Sequence, residues 1–82
     1  MLKVYGSMLC PDCVQCCDDL RRAKVAFEYL DFAEDLRNLK GFLKIRDDDS
    51  AFDQIRQSGK IGIPCLLTDD GEVKLDWQEF LK

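Results

Sequence analysis

Five cysteines in a chain of 82 residues are the side chains best suited to chemistry. Four of them fall within eight residues, and the fifth stands far along the chain: Cys10, Cys13, Cys16, Cys17 and Cys65. An odd, clustered set is not the pattern of a disulfide framework, which usually has an even number of cysteines spread along the chain. The cysteines therefore indicate a site rather than a set of structural cross-links.

Cys10 and Cys13 form a C-x-x-C pair at a predicted helix start. Pro11 suits the first helical position, because it has no N–H to lose and its φ is already helical, which makes Cys10 the N-cap. Residues three apart lie on one side of the first turn, and the free N–H groups there stabilise an anion such as a thiolate. An exposed thiolate attacks a disulfide, and the second cysteine resolves the mixed disulfide. The spacing therefore predicts redox chemistry.

Asp12 lies between the two cysteines and acts in the opposite direction. A carboxylate beside Cys10 disfavours its thiolate. Because stabilising the reduced form makes a dithiol more oxidising, Asp12 should make this pair a better reductant.

The remaining cysteines allow a second interpretation. Together with the C-x-x-C pair, Cys16 and Cys17 supply thiolates that suit zinc, copper(I) or an iron–sulfur cluster. A regular helix cannot bring all four cysteines to one tetrahedral ion, so we rank a metal site second and predict no metal ligands. We expect Cys17 to pack with Val14 and Leu20, and Cys16 to be partly exposed. A binding module without turnover is the third alternative.

Composition excludes several classes of function. The chain has 12 basic and 16 acidic residues, a net charge of −4 and no histidine. Nucleic-acid binding needs clustered Lys and Arg, and histidine-dependent catalysis or metal ligation has no residue to use. No apolar run approaches the roughly 20 residues that span a bilayer, and the first residues lack the apolar stretch of a signal peptide. We expect a cytoplasmic monomer with neither nucleic acid nor membrane as a partner.

Short strands and helices alternate along the chain. We predict strands at 2–6, 25–31, 61–68 and 72–75, helices at 11–24, from 33 to the acidic run 47–49, and at 51–57, and a last helical turn after Asp76. The first two strands flank a helix, so they should be parallel. The order βαβα(α)ββα predicts a single α/β domain of residues 1–82, with a four-stranded mixed sheet and helices on both faces.

Three segments carry a family resemblance. Residues 5–13 with the C-x-x-C pair, residues 58–64 ending in Ile63-Pro64, and the turn Asp70-Gly71 resemble the glutaredoxin family. The resemblance implies a thioredoxin-like fold and a thiol–disulfide oxidoreductase that works in electron transport through a reversible disulfide bond. It makes Cys10 the nucleophile and Cys13 the resolving cysteine.

The resemblance also implies the surroundings of this redox-active centre. Pro64 would be a cis-proline, and the backbone of Ile63 would pair with a bound peptide or glutathione. Tyr5, Pro11, Asp12 and Cys65 would be neighbours of the centre. For Cys65 we favour packing in a strand over chemistry, and for Tyr5 we favour a place in the core or in a pocket wall over a role as proton donor. The implied partner is a disulfide-containing protein or a low-molecular-weight thiol, with no cofactor required and glutathione as a candidate reductant.

Two of the places at which the chain departs from the glutaredoxin pattern concern glutathione binding. Ser7 stands where the family usually has a lysine or arginine, and Leu75-Asp76 replaces its Gly-Gly pair. Glutathione dependence is therefore left open.

Overall fold

The computed structural model describes residues 1–81, so only Lys82, the last residue of the predicted domain, lies outside the described part. The strands and helices are β1 Leu2–Gly6, α1 Pro11–Arg22, β2 Phe27–Asp31, α2 Leu36–Asp48, α3 Asp53–Ser58, β3 Cys65–Leu67 and β4 Val73–Lys74, with 3-10 turns at Ser50–Phe52 and Trp77–Phe80. This order confirms the predicted succession of elements. No helix in this part of the chain is long and apolar enough to cross a membrane.

The four strands form one mixed sheet in the order β2-β1-β3-β4. Strands β1 and β2 run parallel, and β3 is antiparallel to both β1 and β4. The predicted four-stranded mixed sheet of an α/β domain is therefore confirmed. Strand β3 begins four residues later than expected, at Cys65. Gly62 has a φ of 91° and Pro64 has no N–H, so the segment before Cys65 cannot continue the ladder.

Alternation along β1 divides the interior into two cores. Leu2 and Val4 face helix α1 and pack with its Leu20. Tyr5 points to the other side and packs with Phe42 of α2. Successive side chains of a strand point to opposite faces, so one short strand supplies both cores. The prediction of helices on both faces is confirmed.

Helix α1 begins at the predicted residue and ends two residues earlier than predicted, at Arg22, and its inner face differs from the prediction. Cys10 is its N-cap with Pro11 at the first position, and Ala23 is the C-cap. Cys16 was expected to be partly exposed, yet it is completely buried, whereas Val14 is 46% exposed. The buried face follows the spacing i, i+3, i+4, i+7 from Cys13, which includes Cys16 and leaves Val14 about 100° away.

Helix α2 starts later than its apolar spacing predicted. The Asp31 carboxylate accepts a hydrogen bond from the Ala33 N–H at 2.7 Å, so a turn follows β2 before the helix begins. Asp35 then caps the helix by accepting from the Arg37 N–H at 2.9 Å. The helix ends inside the predicted acidic run, where Asp49 caps the following 3-10 turn through the Ala51 N–H. Side-chain capping thus sets both boundaries.

The 3-10 turn Trp77–Phe80 packs on the α1 side of the sheet. Asp76 caps it by accepting from the Gln78 N–H at 3.0 Å. The Trp77 Nε1–H donates to the Asp19 carboxylate of α1 at 2.9 Å. Trp77 therefore anchors the terminal turn to α1.

Candidate dithiol site

Cys10 sits in the connection between β1 and α1, where local hydrogen bonds fix its backbone. Its N–H donates to the Ser7 carbonyl at 3.0 Å, and its own carbonyl accepts from the Cys13 N–H at 3.1 Å. The Ser7 hydroxyl accepts from the Leu9 N–H at 3.2 Å, which tightens the preceding loop. These bonds leave Cys10 partly exposed at the helix N-cap. Its thiol makes no capping hydrogen bond to the described residues.

Cys13 is the buried member of the pair. Its exposed fraction is 0%, and its thiol is close enough to Cys10 for a hydrogen bond between the two side chains. Burial raises the pKa of Cys13 to about 12, although a hydrogen bond from the Ser7 backbone acts in the opposite direction. The two cysteines therefore differ in the way that a two-step exchange needs: the Cys10 thiol meets solvent, and the Cys13 thiol is shielded from it beside Cys10.

Cys10 opens onto a groove of about 460 Å³. Asp12, Ile63 and Pro64 line this groove with Cys10, and Lys60 contributes a cation to its wall. Pro64 follows a cis peptide bond from Ile63, as the resemblance implied. The structure thus brings Cys10 and Asp12 together with Ile63 and Pro64, although the two pairs are more than fifty positions apart in the sequence.

The segment 59–62 forms the far wall of the groove, and hydrogen bonds from α2 and two glycines fix its backbone. Arg46 donates to the carbonyl of Ile61 at 3.0 Å and to that of Lys60 at 2.8 Å. Gly59 ends helix α3 with a φ of 78°, as expected of a C-cap glycine. A Cβ on Gly62 would lie 2.6 Å from Cε1 of Phe52, so only glycine fits where the loop crosses that ring.

Two of the predicted neighbours lie elsewhere. The side chains of Tyr5 and Cys65 are in the core between the sheet and α2, on the opposite face from Cys13. Burial, followed by the nearby Asp49 carboxylate, raises the pKa of Cys65 to about 12. The structure therefore places these two side chains in the core on the α2 side of the sheet, away from Cys13. The one-residue offset from Pro64 to Cys65 turns the Cys65 side chain to the other face of the strand. Pro11, by contrast, lies exposed in the first turn, beside Cys10.

The last two cysteines are packing residues of α1. Cys16 and Cys17 are both buried, and burial raises the pKa of Cys16 to about 12 and that of Cys17 in the same direction. Such thiols are poor nucleophiles at neutral pH. Within residues 1–81, no group of three or more cysteines and carboxylates is placed to hold a metal ion.

The side chain of Tyr29 in β2 lies beside Cys13, although nothing in the sequence indicated a place for Tyr29 near the dithiol. A Cβ on Gly6 would lie 2.6 Å from the Cys13 sulfur and 3.0 Å from the Tyr29 hydroxyl. Gly6 therefore leaves the space in which the thiol and the hydroxyl meet. The parallel register, which aligns Val4 with Tyr29, places this side chain on the α1 face. Only the strand register could have revealed it.

The fold and the site together define a small α/β protein in which a partly exposed cysteine, Cys10, lies beside a buried one, Cys13, at a helix N-terminus. The chain is similar to an uncharacterized protein of Haemophilus influenzae, with 37% identity over 73 residues. The match covers 89% of this chain and 85% of the relative, so the two belong to one family. No protein-family model and no solved structure matches the chain.

Proposed function

We propose that this protein is a small glutaredoxin-like thiol–disulfide oxidoreductase that uses the Cys10-Pro11-Asp12-Cys13 dithiol. One observation carries the proposal: a partly exposed Cys10 adjoins a fully buried Cys13 and opens onto a groove lined by Ile63 and Pro64. Because solvent reaches the Cys10 thiol and not the Cys13 thiol, only Cys10 is placed to attack an external disulfide.

A thioredoxin-like fold is part of the proposal. The sheet order β2-β1-β3-β4, the parallel β1–β2 pair and helices on both faces support it. In such a fold the dithiol lies at the carboxyl end of β1, where helix α1 begins, as it does here.

The chemistry is a pair of thiol–disulfide exchanges. The Cys10 thiolate attacks one sulfur of the substrate disulfide, forming a mixed disulfide and releasing the first substrate thiolate. Cys13 then loses its proton, attacks the Cys10 sulfur and releases the second substrate thiolate. Two electrons pass from the dithiol to the substrate. The protons of the two cysteine thiols end on the two substrate thiols.

The groove wall favours a disulfide carried by an apolar segment. Ile55, Ile61 and Leu75 line it together with Ile63, and its charged members are Asp12 and Lys60. A disulfide-containing protein or a low-molecular-weight disulfide fits this chemistry, and glutathione is a candidate reductant. We propose that the protein works as a cytoplasmic monomer without a bound cofactor.

Reduction of insulin or of a small aromatic disulfide, with dithiothreitol as electron source, tests this function. The wild-type protein should accelerate reduction, and Cys10→Ser should lose all of the acceleration. Cys13→Ser, mixed with the disulfide in the absence of dithiothreitol, should form the mixed disulfide at Cys10 and stop there, as seen by mass spectrometry. An inactive wild type, or a fully active Cys10→Ser variant, would refute the proposal. Cys65→Ala is the matched control and should retain activity, because Cys65 lies on the other face of the sheet.

A further inference from the structure

The Tyr29 hydroxyl is buried and lacks a hydrogen-bond partner among the described residues. Leaving a buried hydroxyl unpaired costs free energy, so most such groups in proteins are satisfied. Phenylalanine would fill the same space without that cost. An unpaired hydroxyl at this position therefore needs an explanation beyond packing.

The nearby polar group is the thiol of Cys13. Helix α1 brings the sulfur, and β2 brings the hydroxyl, to the two sides of the space that Gly6 leaves open. A thiol is a weak hydrogen-bond acceptor, whereas a thiolate is a strong one. The hydroxyl therefore has its partner only when the Cys13 sulfur carries negative charge.

We propose that Tyr29 is a catalytic residue of the resolving step, in which its hydroxyl donates a hydrogen bond to the Cys13 thiolate. This role rests on the proposed function. Cys13 must lose its proton inside the protein before it can attack the Cys10 sulfur. Without histidine in the chain, no imidazole can accept that proton or stabilise the anion. The Tyr29 hydroxyl supplies the stabilisation, and the proton goes to the departing substrate thiolate.

The electrostatics agree with a donor role. Burial, followed by the nearby Cys13, raises the pKa of Tyr29, so the hydroxyl keeps its proton at neutral pH. The Tyr29 hydroxyl favours the ionised form of Cys13 and so lowers its pKa against the larger effect of burial. The other titratable groups that act on the pair are Cys10 at the N-cap, Cys16 and Cys17 of α1, and Asp31 of β2. None of these is a cation that could stabilise the thiolate instead.

Single-turnover reaction of the reduced protein with equimolar dithionitrobenzoate separates the two steps. This symmetrical disulfide releases one coloured thiolate when Cys10 forms the mixed disulfide and a second when Cys13 resolves it. Tyr29→Phe should leave the first phase unchanged and slow the second roughly ten- to a hundredfold, as expected for a lost hydrogen bond to a charged group. The pH midpoint of the second phase should also rise in this variant.

Tyr5→Phe is the matched control. Tyr5 is the other tyrosine of the chain, and it is buried on the opposite face of the sheet. This variant should leave both phases unchanged. Tyr29→Phe should be at least as stable to urea as the wild type, because it removes an unpaired hydroxyl.

Three results would overturn the inference. They are a second phase of wild-type rate in Tyr29→Phe, an equal slowing of both phases, and an equal effect of Tyr5→Phe. Failure of the wild type to release any thiolate contradicts the proposed function itself. Release of both thiolates by wild type and Tyr29→Phe at the same rates contradicts only the role of Tyr29.

Discussion

Each face of the sheet has a tyrosine near a buried cysteine, and the two neighbourhoods differ in the groups around that cysteine. Tyr29 lies near Cys13 on the α1 face, and Tyr5 pairs in register with Cys65 on the α2 face. Both cysteines have an exposed fraction of 0%, and burial raises the pKa of both to about 12. Only Cys13 adjoins a partly exposed thiol, that of Cys10. Burial alone therefore does not distinguish the proposed resolving cysteine from a packing one, whereas the neighbouring thiol does.

The largest expected difference between the two faces is in chemical access. Iodoacetamide added to the native, reduced protein should modify Cys10 at least about a hundredfold faster than Cys65, because buried thiols react only when the structure opens. Peptide mass mapping over a time course measures both rates. Cys10→Ser should remove the fast reaction and leave the slow ones as they are. Comparable rates at the two cysteines would show that the α2 face is open to solvent.

A smaller difference is expected from a glycine on each face. A Cβ on Gly6 would lie 2.6 Å from the Cys13 sulfur, whereas a Cβ on Gly41 would lie 3.6 Å from the Tyr5 ring, an ordinary contact. Gly6→Ala should therefore destabilise the protein by about 1–3 kcal/mol through overpacking. Gly41→Ala, in the interior of α2, should stabilise it by about 0.5–1 kcal/mol.

Urea denaturation of the two variants measures these effects. Gly41→Ala is the control for adding a methyl group beside a buried tyrosine. If Gly6→Ala were as stable as the wild type, the space beneath Gly6 would have to be larger than described, and the contact between Cys13 and Tyr29 would be in doubt.

The smallest expected effect concerns the carboxylate beside Cys10. Asp12 is exposed in the first turn of α1, so solvent weakens its interaction with a thiolate. Asp12→Asn should speed alkylation of Cys10 about two- to fivefold at low salt. Asp18→Asn, farther along the same helix, should change the rate less. A slower reaction in Asp12→Asn would mean that Asp12 assists the nucleophile instead of opposing it.

Local sequence signals predicted several helix ends and the order of strands and helices. Pro11 identified Cys10 as the helix N-cap, and Asp76 marked the start of the terminal turn. Each of these residues acts on the backbone within a few positions, so one short segment contains the whole cause. The alternation of strands and helices gave the mixed sheet for the same reason.

The site could not be completed in this way because it depends on strand register. Tyr29 reaches Cys13 because β2 pairs in parallel with β1 and aligns Tyr29 with Val4. Cys65 misses the dithiol because it is one residue past Pro64, and one residue reverses the face of a strand. Sequence spacing showed that these residues were close to the right strand ends, but not on which side of the sheet they lie.

The hydrogen bond from Trp77 to Asp19 has a spectroscopic consequence. Trp77 is the single tryptophan of the chain, and its indole is bound to the helix that carries Cys10 and Cys13. Intrinsic fluorescence of the unlabelled protein therefore reports on one place, the junction between α1 and the terminal turn. Any movement of that helix between the dithiol and disulfide states would be visible as a change in emission, without an added probe.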